Sequence, residues 1–473
     1  MRSLTRLILI SLLAVFINTA CRHRCPSITQ SSETEQWRMI YLQNRRIGYS
    51  YLKIAKIKDG YQITERFRMK LGMLGKSQEI ITEFIGVTDL EYALKNFSYL
   101  FKSPDQSFTL LGKITEKKVI LESGDNKILS KEIPLATENI YCNAVLGRLI
   151  AHKKFKIPSN FTVKLIEPTV ATIIDAQLNI LGKEKIEIDG RVLELTKVSC
   201  QMLGLTSYLW LNESGTVKKE WSSPDMISIE TTSDDVLAQS SLAEQLDILD
   251  LYAIPAETTV YNPRQVKWAE ITFTNFDTSG FSLHDDFQRV TNYNPIKIEI
   301  NSKLEIKDVL FPIDDNREYL RSSFYVQSEH PEIIAMARKI VGTEKSATRC
   351  AEKILNWVYK MVKKEPSATI PQSIEVLKKL RGDCNEHAVL YCALARAIGI
   401  PTEICVGLVY LDGKFYYHAW NKVYLGEWVA VDPTFGQFPA DALHIKLSEG
   451  ELSEQSKVLK IIGKVKLKII SYR

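Results

Sequence analysis

Short segments in which apolar and polar residues alternate fill residues 37–233 of the chain. Within 61–71 an apolar residue recurs at almost every second position, which is the period of a strand with one buried face. Turn dipeptides separate such segments, and the apolar residues that flank Asp189-Gly190 predict a β-hairpin. The pattern therefore predicts one large antiparallel sheet, which we assign to an N-terminal domain spanning residues 26–240.

The period of the pattern changes after this domain. Leucines and an isoleucine at helical spacing, followed by two prolines, predict a helix and linker at 241–265, and alternation resumes in a smaller β unit at 266–330. Apolar residues then recur at spacings of three and four, which predicts amphipathic helices at 331–340 and 347–363. The C-terminal segment 448–473 ends in an alternation of lysine and apolar residues that is typical of an exposed edge strand.

The segment 1–21 has the composition of an export signal. Two arginines precede an almost wholly apolar run at 7–17, which is too short to cross a bilayer, and a small alanine precedes Cys21. The run 17–21 resembles a bacterial lipobox, in which the cysteine is lipidated, although Asn18 stands where an aliphatic residue is usual. We expect an exported protein of the periplasm or outer cell envelope, anchored to the membrane by a lipid on Cys21. The alternative is that this residue is an incidental cysteine near a cleavage site.

Composition narrows the class of protein. A chain of 473 residues with 45% hydrophobic and 25% charged residues is typical of a soluble globular protein of two or three domains, which excludes disorder, fibres and a polytopic membrane protein. Because 61 basic and 56 acidic residues are spread along the chain, we predict no nucleic-acid partner. The eight cysteines contain no Cys-x-x-Cys pair, so we predict no disulfide scaffold, no metal site and no cofactor.

The most informative segment is 382–401. Gly-Asp-Cys opens a run of helix formers that is apolar almost all round after Glu386 and stops at a glycine and a proline, which predicts a buried helix over 384–398. Cys384 lies in its first turn, at the positive end of the helix dipole. Such a position can lower a thiol pKa from about 8.5 to roughly 3.5 to 7.5, and the thiolate is the nucleophile. Position alone therefore favours Cys384 over the other cysteines.

A base and a residue to orient it follow in two predicted strands, 415–423 and 427–432. A three-residue loop that ends at Gly426, in the positive-φ conformation, would join these strands. In that register His418 lies directly opposite Asp432. Cross-strand neighbours have Cβ atoms about 4.5 to 5.5 Å apart, near enough for the carboxylate to accept the imidazole N–H.

Three motifs, in chain order, resemble the core of the bacterial transglutaminase-like superfamily: Gly382-Asp383-Cys384, His418-Ala419-Trp420 and the run 428–434. The likeness covers roughly residues 331–447. It implies an α+β fold in which a papain-like core at the C-terminal end follows the large antiparallel β domain and the smaller β unit. It also implies a triad of Cys384 as nucleophile, His418 as base and then acid, and Asp432 as the residue that orients the histidine.

The predicted function is an exported thiol acyl-transfer enzyme whose substrate is a protein or peptide, and we favour a peptidase or amidase over a cross-linking enzyme. Two non-enzymatic alternatives remain: a cell-envelope scaffold whose core only recognises a peptide, and a peptide or lipid binder built around the N-terminal sheet. An intact triad argues against the scaffold. The substrate, the acyl acceptor and the oligomeric state stay open.

Other residues near the triad have weaker claims to a role. The alternative for Cys384 itself is a buried structural thiol. His387 could imitate a base, but its spacing favours a place on the helix surface or behind the triad. Gln372 could assist an oxyanion hole by analogy with papain-like enzymes, although its distance in sequence from Cys384 argues against this.

Overall fold

The computed structural model describes residues 33–73, 75–124, 130–136, 138–155, 157–238, 247, 251–302 and 306–473. The predicted export signal, Cys21 and most of the predicted linker helix lie outside these residues. Within the described ranges, the helices lack the length and apolar composition of a membrane span.

The described residues form two compact units. The first unit contains the residues up to Asp247 together with Ala368–Ile370, and the second contains the remainder.

A sheet of fifteen strands makes up most of the first unit. Its strands β1 to β15 are Thr34–Leu42, Arg45–Ile57, Gly60–Met73, Lys76–Thr88, Leu94–Lys102, Ser107–Ile114, Lys118–Ser123, Ser130–Pro134, Ile140–Tyr141, Ser159–Glu167, Thr172–Ile188, Arg191–Met202, Leu205–Leu211, Val217–Ser222 and Met226–Thr231. Helices α1 at Leu146–Lys153 and α2 at Ser233–Ala238 accompany the sheet. Buried positions alternate along β4, as the period of two predicts.

The neighbouring strands of this sheet run antiparallel, except for the short parallel pair β9 and β10. The hairpin predicted at Asp189-Gly190 is confirmed, because Ile188 pairs with Arg191 and both turn residues have positive φ. This backbone conformation suits the right-handed twist of the flanking strands. The large antiparallel sheet that the alternation predicted is therefore present.

The second unit mixes helices and strands. The helices α3 to α7 are Pro331–Val341, Ala347–Met361, Ser373–Lys379, Cys384–Ala397 and Leu452–Gln455. The strands β16 to β26 are Ile254–Pro255, Trp268–Thr274, Gln288–Tyr293, Ile296–Asn301, Lys363–Lys364, Arg381–Gly382, Thr402–Leu411, Lys414–Tyr424, Trp428–Val431, His444–Glu449 and Lys466–Tyr472. The helices predicted at 331–340, 347–363 and 384–398 are confirmed to within two residues at each end.

A four-stranded sheet contains strands from two segments that we predicted as separate units, 266–330 and 448–473. Its order is β18-β19-β17-β26, so the C-terminal strand pairs with a strand of the predicted small β unit. The C-terminal strand lies at the edge of this sheet, and its lysines occupy exposed positions. The lysine alternation thus marks an edge strand, as expected from its role in preventing strand addition.

The second sheet of this unit carries the site. Its order is β16-β23-β22-β25, with β24 also paired to β23, and α6 packs against β23 and against α3, α4 and α5. At the centre, Gly407 on β22 pairs with His418 on β23. A Cβ atom on Gly407 would lie 1.9 Å from the carbonyl oxygen of Ile445 on β25. Only glycine permits this close approach of the two backbones.

Candidate active site

The start of helix α6 holds Cys384 in a fixed position. The Asp383 carboxylate accepts the Asn385 N–H at 2.8 Å, and the Glu386 carboxylate accepts the Asp383 N–H at 2.8 Å. This is a capping box, which satisfies backbone donors that the first turn leaves without helical partners. Gly382 has a φ of +150°, and a Cβ atom there would lie 2.4 Å from the Glu386 side chain. The glycine therefore gives Glu386 the space to fold back over the helix start.

Cys384 is buried, with 3% of its surface exposed. Its sulfur lies beside β23, where the backbone N–H of Ala419 donates a hydrogen bond to it. The lowered pKa that its position in the helix predicted is wrong. Burial, followed by the negative charge of Asp383, raises the pKa of the Cys384 thiol well above its usual value, because both oppose a second negative charge.

His418 and Asp432 meet as the sequence predicted. His418 Nε2 lies 2.8 Å from Asp432 Oδ2, and both side chains are buried. Since Nε2 donates to the carboxylate, Nδ1 is the ring nitrogen left to face a thiol. Burial lowers the pKa of His418, and the attraction of Asp432 only partly opposes this effect. The ring is therefore neutral near pH 7.

The route by which these two residues meet differs from the predicted one. Strands β23 and β24 pair Tyr424 with Trp428, so the loop covers 425–427 and not 424–426, although Gly426 does adopt a positive φ of 82°. Asp432 lies beyond the end of β24 and forms a bridge with Gln437. The predicted cross-strand opposition is therefore wrong. A turn after β24, and not the strand register, brings the carboxylate to the histidine.

Asp432 accepts four hydrogen bonds. Its Oδ1 accepts the backbone N–H groups of Thr434 at 2.6 Å and Phe435 at 3.0 Å. Its Oδ2 accepts His418 and, at 2.9 Å, Nε2 of His444. Burial acts to raise the pKa of Asp432, but the two histidines outweigh it and hold the pKa well below its usual value. Asp432 is a carboxylate under all ordinary conditions.

His444 and Asp441 are members of the site that sequence reasoning missed. His444 opens strand β25, and its Nδ1 lies 3.3 Å from Asp441 Oδ1. Asp441 in turn forms an ion pair with Arg264, whose Nη1 lies 2.8 Å from its Oδ2. The only local signal was the Asp-x-x-His spacing of 441 and 444, which by itself has no specific meaning. The strand pairing that brings β25 near β23 is not visible in the sequence.

Three atoms of the site are close enough to share a metal ion: His418 Nε2, Asp432 Oδ2 and His444 Nε2 lie within 4.8 Å of one another. Two hydrogen bonds from ring N–H groups to one carboxylate oxygen account for this spacing in full. A protein hydrogen-bond network therefore explains the cluster.

The other residues considered near the triad lie outside the contact between His418 and Asp432. His387 is fully buried, so of its two predicted places the helix surface is wrong. Its ring contacts the carbonyl oxygens of Asp383 at 2.5 Å and Val362 at 3.3 Å. Gln372 precedes α5, and its buried Nε2 has no hydrogen-bond partner among the residues that the structure describes. Trp420 lies in the core with its ring 6.0 Å from that of His418.

Part of the second unit is similar to a known superfamily. Residues 334–433 match the sequence model of the transglutaminase-like superfamily, which confirms the resemblance for this part of the chain. The match contains Cys384, His418 and Asp432. A comparison with curated protein sequences gave no significant match.

Solved structures give further similarities at low identity. A candidate cysteine protease from Cytophaga hutchinsonii is 16% identical, with a TM-score of 0.30, over 43% of this chain and 82% of the other. A β-barrel-like protein of unknown function from Brucella abortus is 10% identical, with a TM-score of 0.35, over 43% of this chain and 96% of the other. A candidate protease from Parabacteroides distasonis is 11% identical, with a TM-score of 0.19, over 80% of this chain and 67% of the other. At these TM-scores no residue role is transferred from the three structures.

Proposed function

We propose that this protein is a thiol acyl-transfer enzyme with a papain-like core, in which Cys384, His418 and Asp432 form the catalytic triad. The observation that carries the proposal is the buried 2.8 Å contact between His418 and Asp432 next to the Ala419 N–H that contacts the Cys384 sulfur. The superfamily match over residues 334–433 supports the same assignment.

The proposed reaction begins with a neutral thiol and a neutral imidazole. His418 Nδ1 takes the thiol proton while the sulfur forms a bond to the carbonyl carbon of an amide, and the carbonyl electron pair moves onto oxygen. Backbone N–H groups at the start of α6, including that of Cys384, stabilise this oxyanion. His418 then gives its proton to the departing amine, and a thioester remains on Cys384. Water or an amine releases the acyl group.

A peptide or protein is the proposed substrate, and hydrolysis is favoured over cross-linking. The two acceptors leave different products: water releases a free acid, whereas an amine gives a new amide. Incubation of a peptide library with the enzyme, with and without a primary amine, followed by mass spectrometry, separates the two outcomes.

The proposed location is the cell envelope, with the protein exported and anchored by a lipid on Cys21. The arginines, apolar run and lipobox-like sequence support this proposal. Metabolic labelling with radioactive palmitate should mark the protein and fail to mark Cys21→Ser. Equal labelling of both proteins would contradict the anchor.

The test of the catalytic assignment uses a thiol-directed acyl probe on the full chain. We expect Cys384→Ala to abolish labelling and turnover while the folded structure is retained, as measured by circular dichroism. The matched control is Cys392→Ala, which removes another buried thiol from the same helix and should leave labelling intact. Labelling that persists in Cys384→Ala would refute the proposed nucleophile.

A further inference from the structure

Two buried histidines share one carboxylate oxygen in this site, but the proposed reaction uses only one of them. His418 Nε2 and His444 Nε2 lie 2.8 and 2.9 Å from Asp432 Oδ2. His444 is buried, with 1% of its surface exposed. Burying a polar group of this kind costs free energy unless it is hydrogen-bonded, and both ring nitrogens of His444 have partners.

The surroundings of His444 determine its charge. Its Nε2 faces a carboxylate oxygen of Asp432, and its Nδ1 faces Oδ1 of Asp441 at 3.3 Å and the Asp441 carbonyl oxygen at 3.2 Å. These oxygens only accept hydrogen bonds, so both ring nitrogens must donate and the ring must carry two protons. Burial acts to lower the pKa of His444, but Asp441 and Asp432 outweigh it and raise the pKa to about 9.

Charges alternate along the network that ends at His418. Arg264 pairs with Asp441, Asp441 with His444, and His444 with Asp432, so each buried charge has a partner of opposite sign. Lys364 is another cation that interacts electrostatically with Asp432. Because His444 already places a positive charge beside Asp432, the carboxylate stabilises a second positive charge on His418 less strongly. His444 and Arg264 both act to lower the pKa of His418.

We propose that His444, held in its charged form between Asp432 and Asp441, is a positioning residue that fixes the Asp432 carboxylate and keeps His418 as a neutral proton acceptor. This inference rests on the proposed function for its catalytic consequence. It assigns to His418 a neutral ring in the resting site.

The proton balance of the reaction is unchanged by this residue. His418 takes one proton from Cys384 and returns it to the departing amine, while His444 keeps both of its protons throughout. Asp432 accepts hydrogen bonds from both rings before and after the transfer. The contribution of His444 is therefore electrostatic and geometric, and it makes no contact with the reacting atoms.

The test measures the titration of His418 by NMR in full-length protein with ¹³C-labelled histidine rings, of which the chain has only seven. The Cys384→Ala background removes coupling to the thiol. We expect His444→Gln to raise the titration midpoint of His418 by about one pH unit, a tenfold change in proton affinity, because a neighbouring positive charge is lost. Asp441→Asn should move it in the same direction by less.

The matched control is His284→Gln, which removes an exposed histidine ring that contacts the Tyr293 hydroxyl. It should leave the midpoint unchanged. An unchanged midpoint in both His444→Gln and Asp441→Asn would overturn the proposal, and the Asp441 variant decides the matter if the His444 variant does not fold. Since this titration needs no turnover, its result is independent of the labelling test of Cys384.

A kinetic readout connects the network to the reaction. With Cys384 present, the acid limb of the pH profile of kcat/KM reports the pKa of His418 in the free enzyme. We expect that limb to move to higher pH in His444→Gln by the same amount as the NMR midpoint. A move of one pH unit lowers kcat/KM on the acid side about tenfold. A uniform loss of activity at every pH, with no movement of the limb, would indicate a merely structural role and would contradict the proposal.

Discussion

Asp432 connects both halves of the candidate site. One of its oxygens fixes the turn that follows β24, and the other holds the rings of His418 and His444. Asp432, His418, His444 and Thr434 are buried, and a buried polar group that loses its hydrogen bond costs free energy. The residue therefore links the local backbone to the chemistry of the site.

Replacement of the Asp432 carboxylate by an amide should lower both the stability and the activity of the protein, and the two losses are measured separately. We expect Asp432→Asn to lower the free energy of unfolding by about 3 to 5 kcal/mol, because a buried charge pair loses one partner. We expect kcat to fall by about 10⁴-fold, the loss seen when a triad carboxylate becomes an amide. Urea unfolding and probe turnover measure the two effects. Asp412→Asn, at an exposed loop residue, is the matched control and should change neither.

The residue types of the site were predictable, but their ionisation was not. Cys384, His418 and Asp432 stand in motifs that resemble those of a known superfamily, and the chain order of these motifs identified them as candidates. The strand register counted for His418 and Asp432 was wrong. The raised pKa of Cys384 depends on how deeply folding buries the sulfur and on the nearby Asp383. A helix dipole contributes about 0.3 to 1 kcal/mol at an exposed site, and full burial outweighs that contribution.

At the level of elements, the position of Cys384 depends on how helix α6 begins. The capping box at Asp383 and Glu386 requires the space that Gly382 leaves open. The box therefore couples the backbone conformation before the helix to the position of Cys384 in its first turn.

Two glycine substitutions test this coupling. Gly382→Ala should cost about 1 to 2 kcal/mol of stability through the lost cap, and it should also slow probe labelling of Cys384. Gly399→Ala, at the far end of the same helix, has a φ of +88° and open space around it. It should cost about 1 kcal/mol through backbone strain and leave labelling unchanged. Equal labelling by both variants would show that the cap does not position the sulfur.

Periodicity predicted the elements well, because burial on one face acts on every second residue of a strand and on every third or fourth residue of a helix. It did not predict the register of β23 and β24, which depends on where the loop begins. Nor could it show that β25 places His444 beside Asp432. That contact depends on the order of strands in the sheet, and no local pattern specifies this order.

At the level of the whole molecule, the two compact units have separate buried cores and contain different titrating groups. In the first unit, burial raises the pKa of Glu167 to about 8 and that of Glu65 to about 7. A carboxyl group with a raised pKa contributes stability below its unfolded pKa near 4.5, and this contribution is lost as the pH rises through the folded value. The first unit should therefore become less stable between pH 5 and 8.

Calorimetry over this pH range checks the expectation. We expect two thermal transitions, one of which moves to lower temperature as the pH rises. Glu167→Gln keeps an acceptor for the Thr169 N–H but cannot ionise, so it should reduce that movement. Glu132→Gln, at an exposed strand position, is the control. If the transition temperature depended on pH in the same way in the unsubstituted protein, Glu167→Gln and Glu132→Gln, the role given to Glu167 would be contradicted.

The pairing of strands that are far apart in the sequence was the least predictable property of the whole molecule. The four-stranded sheet brings the C-terminal strand against β17, which lies far earlier in the chain. The sequence identified both strands but contained no sign that they pair, since such pairing depends on the entropy and packing of the entire unit.

The enclosure of Cys384 also has a chemical consequence outside catalysis. Oxidation by peroxide and exchange with disulfides both begin with attack by an accessible thiolate. This sulfur is 3% exposed, and burial raises its pKa. In the oxidising envelope proposed for this protein, an ordinary reactive cysteine would be consumed. For the nucleophile proposed here, the burial that slows attack on a substrate would also protect the sulfur from oxidants between turnovers.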